Sequence, residues 1–415
     1  MKNLCKKVCV ALSLAWMTLA LAACGKADPN QNNNVDNPTN TPTVTMTPSP
    51  TMTPTPTPET TPSEKSFLPT EEYVRSIGRT MIAKDSLWLV HSGTGMEFTF
   101  TGTSATIKIK PDSSFMTRDN QARVAIYVNG ERVIDDMVDN MEMVYKVFES
   151  ETPEECTVRV VKLTEAAYST FGVSAIEATC IGNIKPTENK DKLIEFIGDS
   201  ITCGYGVDDL DYNHHFSTTT EDATKTYAYK TAEKLGADYS LVSLSGYGII
   251  SGYSGDGNKV PAQTIPQYYD KMGNSGGTYL GDFVPQETAW DFAKRQPDVI
   301  VINLGTNDNS YVKNTAVKKE EYTMGYLKFI KQVREKNPDA TLFCTLGIMG
   351  AELYPCIEDA VKRYGMETGD TKVYTMKFAT QSMADGIAAD WHPSEKTHEK
   401  AAEKLSQKIK EVMGW

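Results

Sequence analysis

The chain has 415 residues, with 42 lysines and arginines against 54 aspartates and glutamates, and its formal net charge is −12. This length exceeds one average domain and predicts two domains once non-globular segments are set aside. The negative charge and the lack of a basic cluster exclude nucleic acid as a partner, because binding to phosphates needs such a cluster, and they favour neutral substrates.

Residues 1–23 have the pattern of an export signal. Lysines precede an apolar stretch, residues 8–21, which is too short to span a membrane. The stretch closes on LAAC, which resembles a bacterial lipobox. The resemblance implies that Cys24 becomes the lipidated first residue of an exported, cell-surface lipoprotein that meets the membrane through its lipid anchor only. The alternative is an ordinary cleaved signal that leaves Cys24 unmodified.

Residues 24–65 predict a disordered linker. They contain almost no large apolar residues and include NPTNTPTVTMTPSPTMTPTPTPETTP, a composition that cannot bury a core. Frequent proline favours extended polyproline II, which at about 3.1 Å per residue reaches on the order of 100 Å. We therefore expect the globular part to work at a distance from its anchor.

Residues 66–183 predict an all-β domain. Segments such as MEFTFTG, SATIKIK and CTVRVVKL alternate with a period of two and are separated by turn residues. Asn129-Gly130 predicts a hairpin turn, because both residues tolerate positive φ. Several short strands without an amphipathic helix predict an antiparallel sandwich of jelly-roll type, or a barrel.

Five cysteines lie beyond the signal and the linker: Cys156, Cys180, Cys203, Cys344 and Cys356. An odd number leaves at least one free thiol, and Cys156 with Cys180 is a candidate bridge. Their spacing does not match a metal site, so we expect no metal. Cys203 is interpreted as a small buried packing residue.

Residues 190–415 predict an α/β domain. Apolar runs at 193–197, 241–244, 299–302, 341–346 and 373–376 alternate with helical stretches such as EYTMGYLKFIKQVREKNP. This alternation is typical of a parallel sheet covered by helices. The last helix is expected to begin near Pro393-Ser394 and to pack Ala401, Leu405, Ile409 and Val412 on the sheet.

Chemistry-bearing residues follow these runs. GDS (198–200), SGYG (245–248) and GTND (305–308) each come after an apolar run, and DWH (390–392) precedes the last helix. Ligands of open parallel sheets bind beyond the carboxyl ends of the strands. A hydroxyl, exposed backbone N–H groups, an amide and an imidazole at that edge are the components of serine acyl transfer.

The segments FIGDSITCGYG, LSGYG, NLGTND and DWHPS resemble the four sequence blocks of the GDSL, or SGNH, hydrolase superfamily over residues 192–415. The resemblance implies a flavodoxin-like three-layer αβα domain. It also implies that Ser200 is the nucleophile and, through its own N–H, one oxyanion donor. Gly246 and Asn307 would be the other donors and His392 the base. No metal or organic cofactor is implied.

The sequence departs from this pattern beside the base. The superfamily usually has aspartate three residues before the histidine, whereas this chain has Ala389 there and Asp390 one residue later. Two arrangements are open. Asp390 orients His392 from an unusual backbone path, which makes a triad, or a backbone carbonyl holds the ring of a Ser-His dyad, which we prefer.

The β-sandwich ahead of this domain, with GRTMIAKDSLWLVHSGTGMEFTFTGTSATIKI, extends the resemblance to the family 2 carbohydrate esterases over residues 75–415. It implies removal of acetyl groups from plant polysaccharides, either 6-O-acetyl mannan and glucomannan or acetylated xylan. Some members lack the triad aspartate, which agrees with Ala389. Two alternatives are a catalytically weak carbohydrate-binding lipoprotein and an SGNH lipase or thioesterase. The retained site residues oppose the first, and the polar loops after the strands oppose the second.

Aromatic residues near these blocks are candidates for stacking on sugar rings. Trp391 adjoins the base, and Tyr205 and Tyr247 follow the first two strands of the α/β domain. Trp290 is expected in the core. The remaining histidines of this half are expected to be solvated, outside the site: His214, His215 and His398.

Overall fold

A computed structural model describes residues 60–117, 119–276 and 284–415. The predicted export signal, the lipidation site Cys24 and most of the predicted linker lie outside these residues. None of the described helices is long and apolar enough to cross a membrane.

The first sheet is antiparallel and has ten strands in the described part of the chain. Their bounds are β1 Ser63–Phe67, β2 Arg75–Ile77, β3 Thr80–Ala83, β4 Ser86–Leu89, β5 Gly95–Pro111, β6 Ala122–Val128, β7 Glu131–Val138, β8 Met143–Lys162, β9 Phe171–Cys180 and β10 Lys185–Pro186. Because β1 pairs with β9 from Ser63 onward, the linker ends earlier than the predicted residue 65.

The sheet follows from the period-two pattern of its strands. On β5, alternate residues are buried and form one core with those of β6, β8 and β9. The predicted hairpin at Asn129-Gly130 is confirmed, since it joins β6 to β7 with φ of 52° and 89°. Cys156 and Cys180 are both buried and no disulfide bond joins them, so the candidate bridge between them is wrong.

The second sheet is parallel and follows the order β12-β11-β13-β14-β15. The strand bounds are β11 Leu193–Gly198, β12 Asp238–Ser243, β13 Val299–Asn303, β14 Thr341–Ile348 and β15 Val373–Thr380. All five predicted runs are therefore strands. This order is that of flavodoxin-like folds, in which ligands bind at the carboxyl ends of two neighbouring strands whose connections run in opposite directions along the sheet. Here these two strands are β11 and β13.

Helices cover both faces of this sheet. Their bounds are α1 Ser200–Cys203, α2 Tyr227–Lys234, α3 Thr306–Val312, α4 Ala316–Lys336, α5 Tyr354–Thr368 and α6 Glu395–Met413, and a short antiparallel pair, β16 Ile387–Ala388 and β17 His392–Pro393, precedes α6. On β11, Ile194 and Phe196 pack with α2 and α6, whereas Ile197 packs with α4 and α5. Strands covered on both faces need continuous apolar runs, which explains why these were visible in the sequence.

The last helix packs its apolar face on the sheet as predicted, but one of its residues that was predicted to be solvated is buried. Ala401, Leu405 and Ile409 are buried against the sheet. His398 is also buried, and its Nδ1 accepts a hydrogen bond from the N–H of Tyr227 at 3.0 Å. The prediction that His398 is solvated is therefore wrong, because α2 packs directly over it.

The region of the first sheet and the region of the second sheet contact each other within one compact unit that holds the described residues. The guanidinium of Arg79 is fully buried and pairs with Glu195 of β11 at 3.2 Å. Arg132 of β7 pairs with Asp222 at 2.8 Å, and the Asp222 side chain is also fully buried. Trp290 packs against the core of the parallel sheet, as predicted, with its ring 5.4 Å from the Arg79 guanidinium carbon.

Candidate active site

The turn after β11 presents Ser200 at the carboxyl edge of the parallel sheet. Asp199 caps the four-residue helix α1 by accepting from the N–H of Ile201 at 3.1 Å. A Cβ on Gly198 would overlap the Thr202 hydroxyl, so this tight turn requires glycine. The GDS segment therefore ends a buried strand and places a serine hydroxyl at the start of a helix.

The imidazole of His392 lies beside this hydroxyl, with Nε2 2.9 Å from Ser200 Oγ. Its Nδ1 faces two backbone carbonyl oxygens, that of Asp390 at 3.1 Å and that of Ala389 at 3.3 Å. Carbonyl oxygens only accept, so Nδ1 carries the proton and Nε2 is free to accept one from Ser200. This is the tautomer that a general base requires.

Asp390 does not touch the imidazole with its carboxylate. The carboxylate accepts from Tyr205 Oη at 2.9 Å and from the N–H of Phe216 at 2.8 Å, and it faces His215 Nδ1 at 2.9 Å. The triad arrangement is therefore wrong, and the backbone holds the ring instead.

A left-handed turn makes this backbone arrangement. Asp390 and Trp391 both have positive φ, of 49° and 66°, which is uncommon for residues other than glycine. The turn directs the carbonyls of residues 389 and 390 toward the ring of His392. The carboxylate of Asp390 thus anchors the loop that orients the base.

The aromatic neighbours of the base differ from the prediction. Tyr205 stacks on His392 with ring centroids 4.0 Å apart. Phe216 stacks on the other face of Tyr205, with ring centroids 3.9 Å apart. Neither face of Tyr205 is left for a sugar ring. Tyr247 is buried in the core, and its hydroxyl accepts from Asn274 Nδ2 at 2.7 Å. Both residues therefore pack the site, and their prediction as sugar-stacking residues is wrong.

Trp391 is exposed beside the base, and its substrate-facing role stays a prediction. Its side chain is 54% exposed and lies against Tyr212, with ring centroids 4.4 Å apart. The exposed ring of Trp391 and the half-buried ring of Tyr212 form an aromatic surface next to the base. His214 and His215, whose side chains are 61% and 94% exposed, are solvated as predicted.

The two other predicted oxyanion donors are Gly246 and Asn307. Gly246 has a φ of 80°, and a Cβ there would meet nothing within 4 Å, so backbone conformation and not space explains the glycine. Asn307 is the second residue of α3, and its Nδ2 donates to the carbonyl oxygen of Tyr247 at 2.8 Å and to Asp199 Oδ2 at 3.3 Å. Both groups lie at the same edge as Ser200.

Asp308 holds the loop that carries Gly246, a role the sequence did not reveal although the residue lies within NLGTND. Its carboxylate accepts from the N–H groups of Ile249, Ile250 and Ser251 at 2.9, 2.8 and 3.1 Å. The third block therefore fixes the second block as well as supplying Asn307.

Burial controls the charges at the site. It lowers the pKa of His392 to about 4, so the base is neutral at physiological pH. Burial also raises the pKa of Asp199 to about 7, with a contribution from the nearby charge of Asp308. Both shifts reduce the charge that these two buried groups carry near neutral pH.

One group of potential metal ligands occurs among the described residues. Glu165, Cys203 and Glu221 are buried, and each offers a ligand atom within 4.8 Å of the others. The spacing of these residues in the sequence gave no sign of the cluster. The buried amine of Lys162 supplies positive charge to both carboxyl groups of this cluster.

The fold and this site define a serine ester hydrolase of the GDSL class. The model of the GDSL-like Lipase/Acylhydrolase family matches residues 196–400, and the Carbohydrate esterase 2 N-terminal model matches residues 76–202. A solved structure of a Corynascus thermopiles carbohydrate esterase family 2 enzyme plus carbohydrate binding domain is 30% identical, with a TM-score of 0.68, and the match covers 82% of this chain and 100% of that one. The chain belongs to carbohydrate esterase family 2.

Two curated relatives are also similar. Cellulase/esterase CelE of Acetivibrio thermocellus is 36% identical over 235 residues, which are 56% of this chain and 26% of that protein. The chain thus spans about a quarter of the length of that relative. An acetylxylan esterase / glucomannan deacetylase of Cellvibrio japonicus is 21% identical over 356 residues, which are 85% of this chain and 92% of that protein.

Proposed function

We propose that the chain removes O-acetyl groups from plant polysaccharides through an acetyl-serine intermediate. The contact of Ser200 Oγ with His392 Nε2 at 2.9 Å, with the other ring nitrogen held by carbonyls, carries this proposal. The substrates we propose are 6-O-acetylated mannan or glucomannan and acetylated xylan. The name of the Cellvibrio japonicus relative, which includes both acetylxylan and glucomannan, supports this choice.

In the first half of the reaction, His392 Nε2 takes the proton of Ser200 as Oγ attacks the acetyl carbonyl carbon. The negative charge on the carbonyl oxygen is stabilised by the N–H groups of Ser200 and Gly246 and by the amide of Asn307. His392 then gives its proton to the departing sugar oxygen, which leaves as a hydroxyl. Water attacks the acetyl-serine with the same base, and acetate departs as Ser200 regains its proton.

The surroundings of the base support a hydrophilic alcohol as the leaving group. Trp391 and Tyr212 offer an exposed aromatic surface, and such surfaces stack well on sugar rings. The adjoining loop carries the solvated His214 and His215. These features favour a small acyl group on a carbohydrate over a long acyl chain.

The test is acetate release from acetylated glucomannan and acetylated xylan. The assay uses the chain without the predicted signal and linker. Because β1 begins at Ser63, this truncated protein must keep residue 60 onward. Release by the wild type that is lost in Ser200→Ala establishes the esterase, and the ratio of rates on the two polymers identifies the preferred one. Binding to the polymers without release of acetate from them or from an aryl acetate would favour a capture module instead.

We also propose that the protein is exported and anchored through lipid on Cys24. The LAAC ending supports this proposal. The full chain and Cys24→Ala should be expressed in a bacterium supplied with labelled palmitate and partitioned in Triton X-114. We expect label and detergent partitioning for the wild type only. Wild-type protein that stays unlabelled in the aqueous phase would contradict the anchor.

A further inference from the structure

A loop of the first sheet, residues 163–170 between β8 and β9, reaches the edge of the second sheet where the catalytic residues lie. The carboxylate of Glu165 on this loop is fully buried and accepts from the N–H of Ser245 at 2.8 Å. Ser245 directly precedes Gly246. We infer that Glu165 is a positioning residue for the oxyanion hole, so that the β-sandwich supplies part of the catalytic apparatus. This inference rests on the proposed role of Gly246.

Hydrogen bonds hold the peptide between Ser245 and Gly246 from both sides. On one side of this peptide, Glu165 accepts from the N–H of Ser245. On the other side, the carbonyl oxygen of Gly246 accepts from the N–H of Tyr253 at 2.7 Å. In the part of the chain that the structure describes, the N–H of Gly246 itself donates to no protein acceptor. The flanking bonds thus fix the direction of a donor that stays available to the substrate.

Glu165 is itself held rigidly. Its N–H donates to Glu221 Oε2 at 2.9 Å, and its carbonyl oxygen accepts from Lys162 Nζ at 3.1 Å. Both partners are fully buried. Burial raises the pKa of both carboxyl groups, that of Glu165 to about 6. The positive charge of Lys162 lies beside both groups and helps to hold Glu165 in place as the acceptor for the N–H of Ser245.

The same loop also contacts the other half of the site. Tyr168 lies against Phe216 with ring centroids 5.0 Å apart, and Phe216 in turn stacks on Tyr205, which stacks on His392. One loop of the β-sandwich therefore touches the base through a row of rings and the oxyanion donor through a carboxylate.

Three substitutions in the full chain separate position from charge. Glu165→Gln keeps an acceptor oxygen in place, and we expect kcat on an aryl acetate to stay within about threefold of the wild type. Glu165→Asp keeps the charge but withdraws the acceptor by one methylene, so kcat should fall about 10–100-fold. KM should not change, and binding of a phosphonate that mimics the oxyanion should weaken in parallel with kcat. Glu195→Gln removes another buried carboxylate of the same unit and should lower Tm without changing kcat per titrated active site.

The outcomes distinguish this inference from the proposed function. A wild-type protein that hydrolyses no ester contradicts the function itself. An active wild type with unchanged kcat in Glu165→Asp overturns the positioning role. If Glu165→Asp fails to fold, Glu165→Leu replaces it in the test. Unchanged kcat and unchanged phosphonate affinity in Glu165→Leu would overturn the positioning role. A loss of both in folded Glu165→Leu would support it.

Discussion

Replacing Asp390 by asparagine distinguishes a carboxylate-oriented base from one oriented by carbonyls. In a serine protease triad the equivalent substitution lowers kcat about 10⁴-fold, because the imidazole takes the wrong tautomer. Here the ring nitrogen is held by the carbonyls of residues 389 and 390, which the substitution leaves in place. Asparagine can still accept from Phe216 and Tyr205, can donate to His215, and tolerates the left-handed conformation. A change of about 1 kcal/mol at one hydrogen bond corresponds to about fivefold in rate, so kcat should stay within that range.

The assay is kcat for an aryl acetate and for acetylated glucomannan, with His392→Ala as the inactive reference. Asp390→Ala is the matched control, since alanine loses all three contacts and carries about 1 kcal/mol of strain in the left-handed turn. We expect at least about tenfold loss in that variant. A loss of about 100-fold or more in Asp390→Asn, with the fold intact, would refute the carbonyl-held dyad.

Three further predictions concern the donor, the base and the contact between the sheets. Asn307→Ala should lose about 10²–10³ in kcat, measured as initial rates on an aryl acetate, and unchanged turnover would remove Asn307 from the oxyanion hole. Because burial lowers the pKa of His392 to about 4, below the usual 6.5, kcat/KM should hold from pH 7 down to about pH 5 and fall as pH drops through 4, whereas a midpoint near 6.5 would contradict a buried base. Arg132→Ala leaves the buried carboxylate of Asp222 without its 2.8 Å partner and should lower the free energy of unfolding by about 3 kcal/mol in urea titration. The control is Lys146→Ala, which removes an exposed ion pair with Glu149 and should change the free energy of unfolding by less than about 1 kcal/mol.

The strands and the main site residues were predictable because their causes are local. A strand buried on both faces needs a continuous apolar run, and the run at 193–197 is followed by a turn that requires glycine at 198 and a helix-capping residue at 199 before Ser200. Asn307 was found in the same way, at the start of the helix after β13. Residues at strand ends gather at one edge whatever the details of packing.

The orientation of the base was not predictable to the same degree. A backbone carbonyl acceptor cannot be recognised from side-chain identity. The position of these carbonyls depends on positive φ at Asp390 and Trp391, and neither residue type predicts positive φ. Tyr205 has the sequence environment of a substrate-facing ring, but Phe216 and His392 occupy both its faces. Glu165 lies on a loop of the other sheet, so its contact with Ser245 arises only when the two sheets pack.

The left-handed turn before His392 makes the orientation of the base independent of any single side chain, unlike a triad in which one aspartate orients the imidazole. Peptide carbonyls belong to every residue type, so the orientation of the base survives side-chain replacement as long as the turn persists. Trp391 contributes its carbonyl to a hydrogen bond from Gln381 Nε2 at 2.7 Å while its side chain points to solvent. Under the proposed function, position 391 is therefore open to variation in directed evolution, where residues that tolerate the left-handed conformation should change the contact with the sugar without changing the orientation of His392. Insertions or deletions between residues 389 and 392, by contrast, would displace both carbonyls at once.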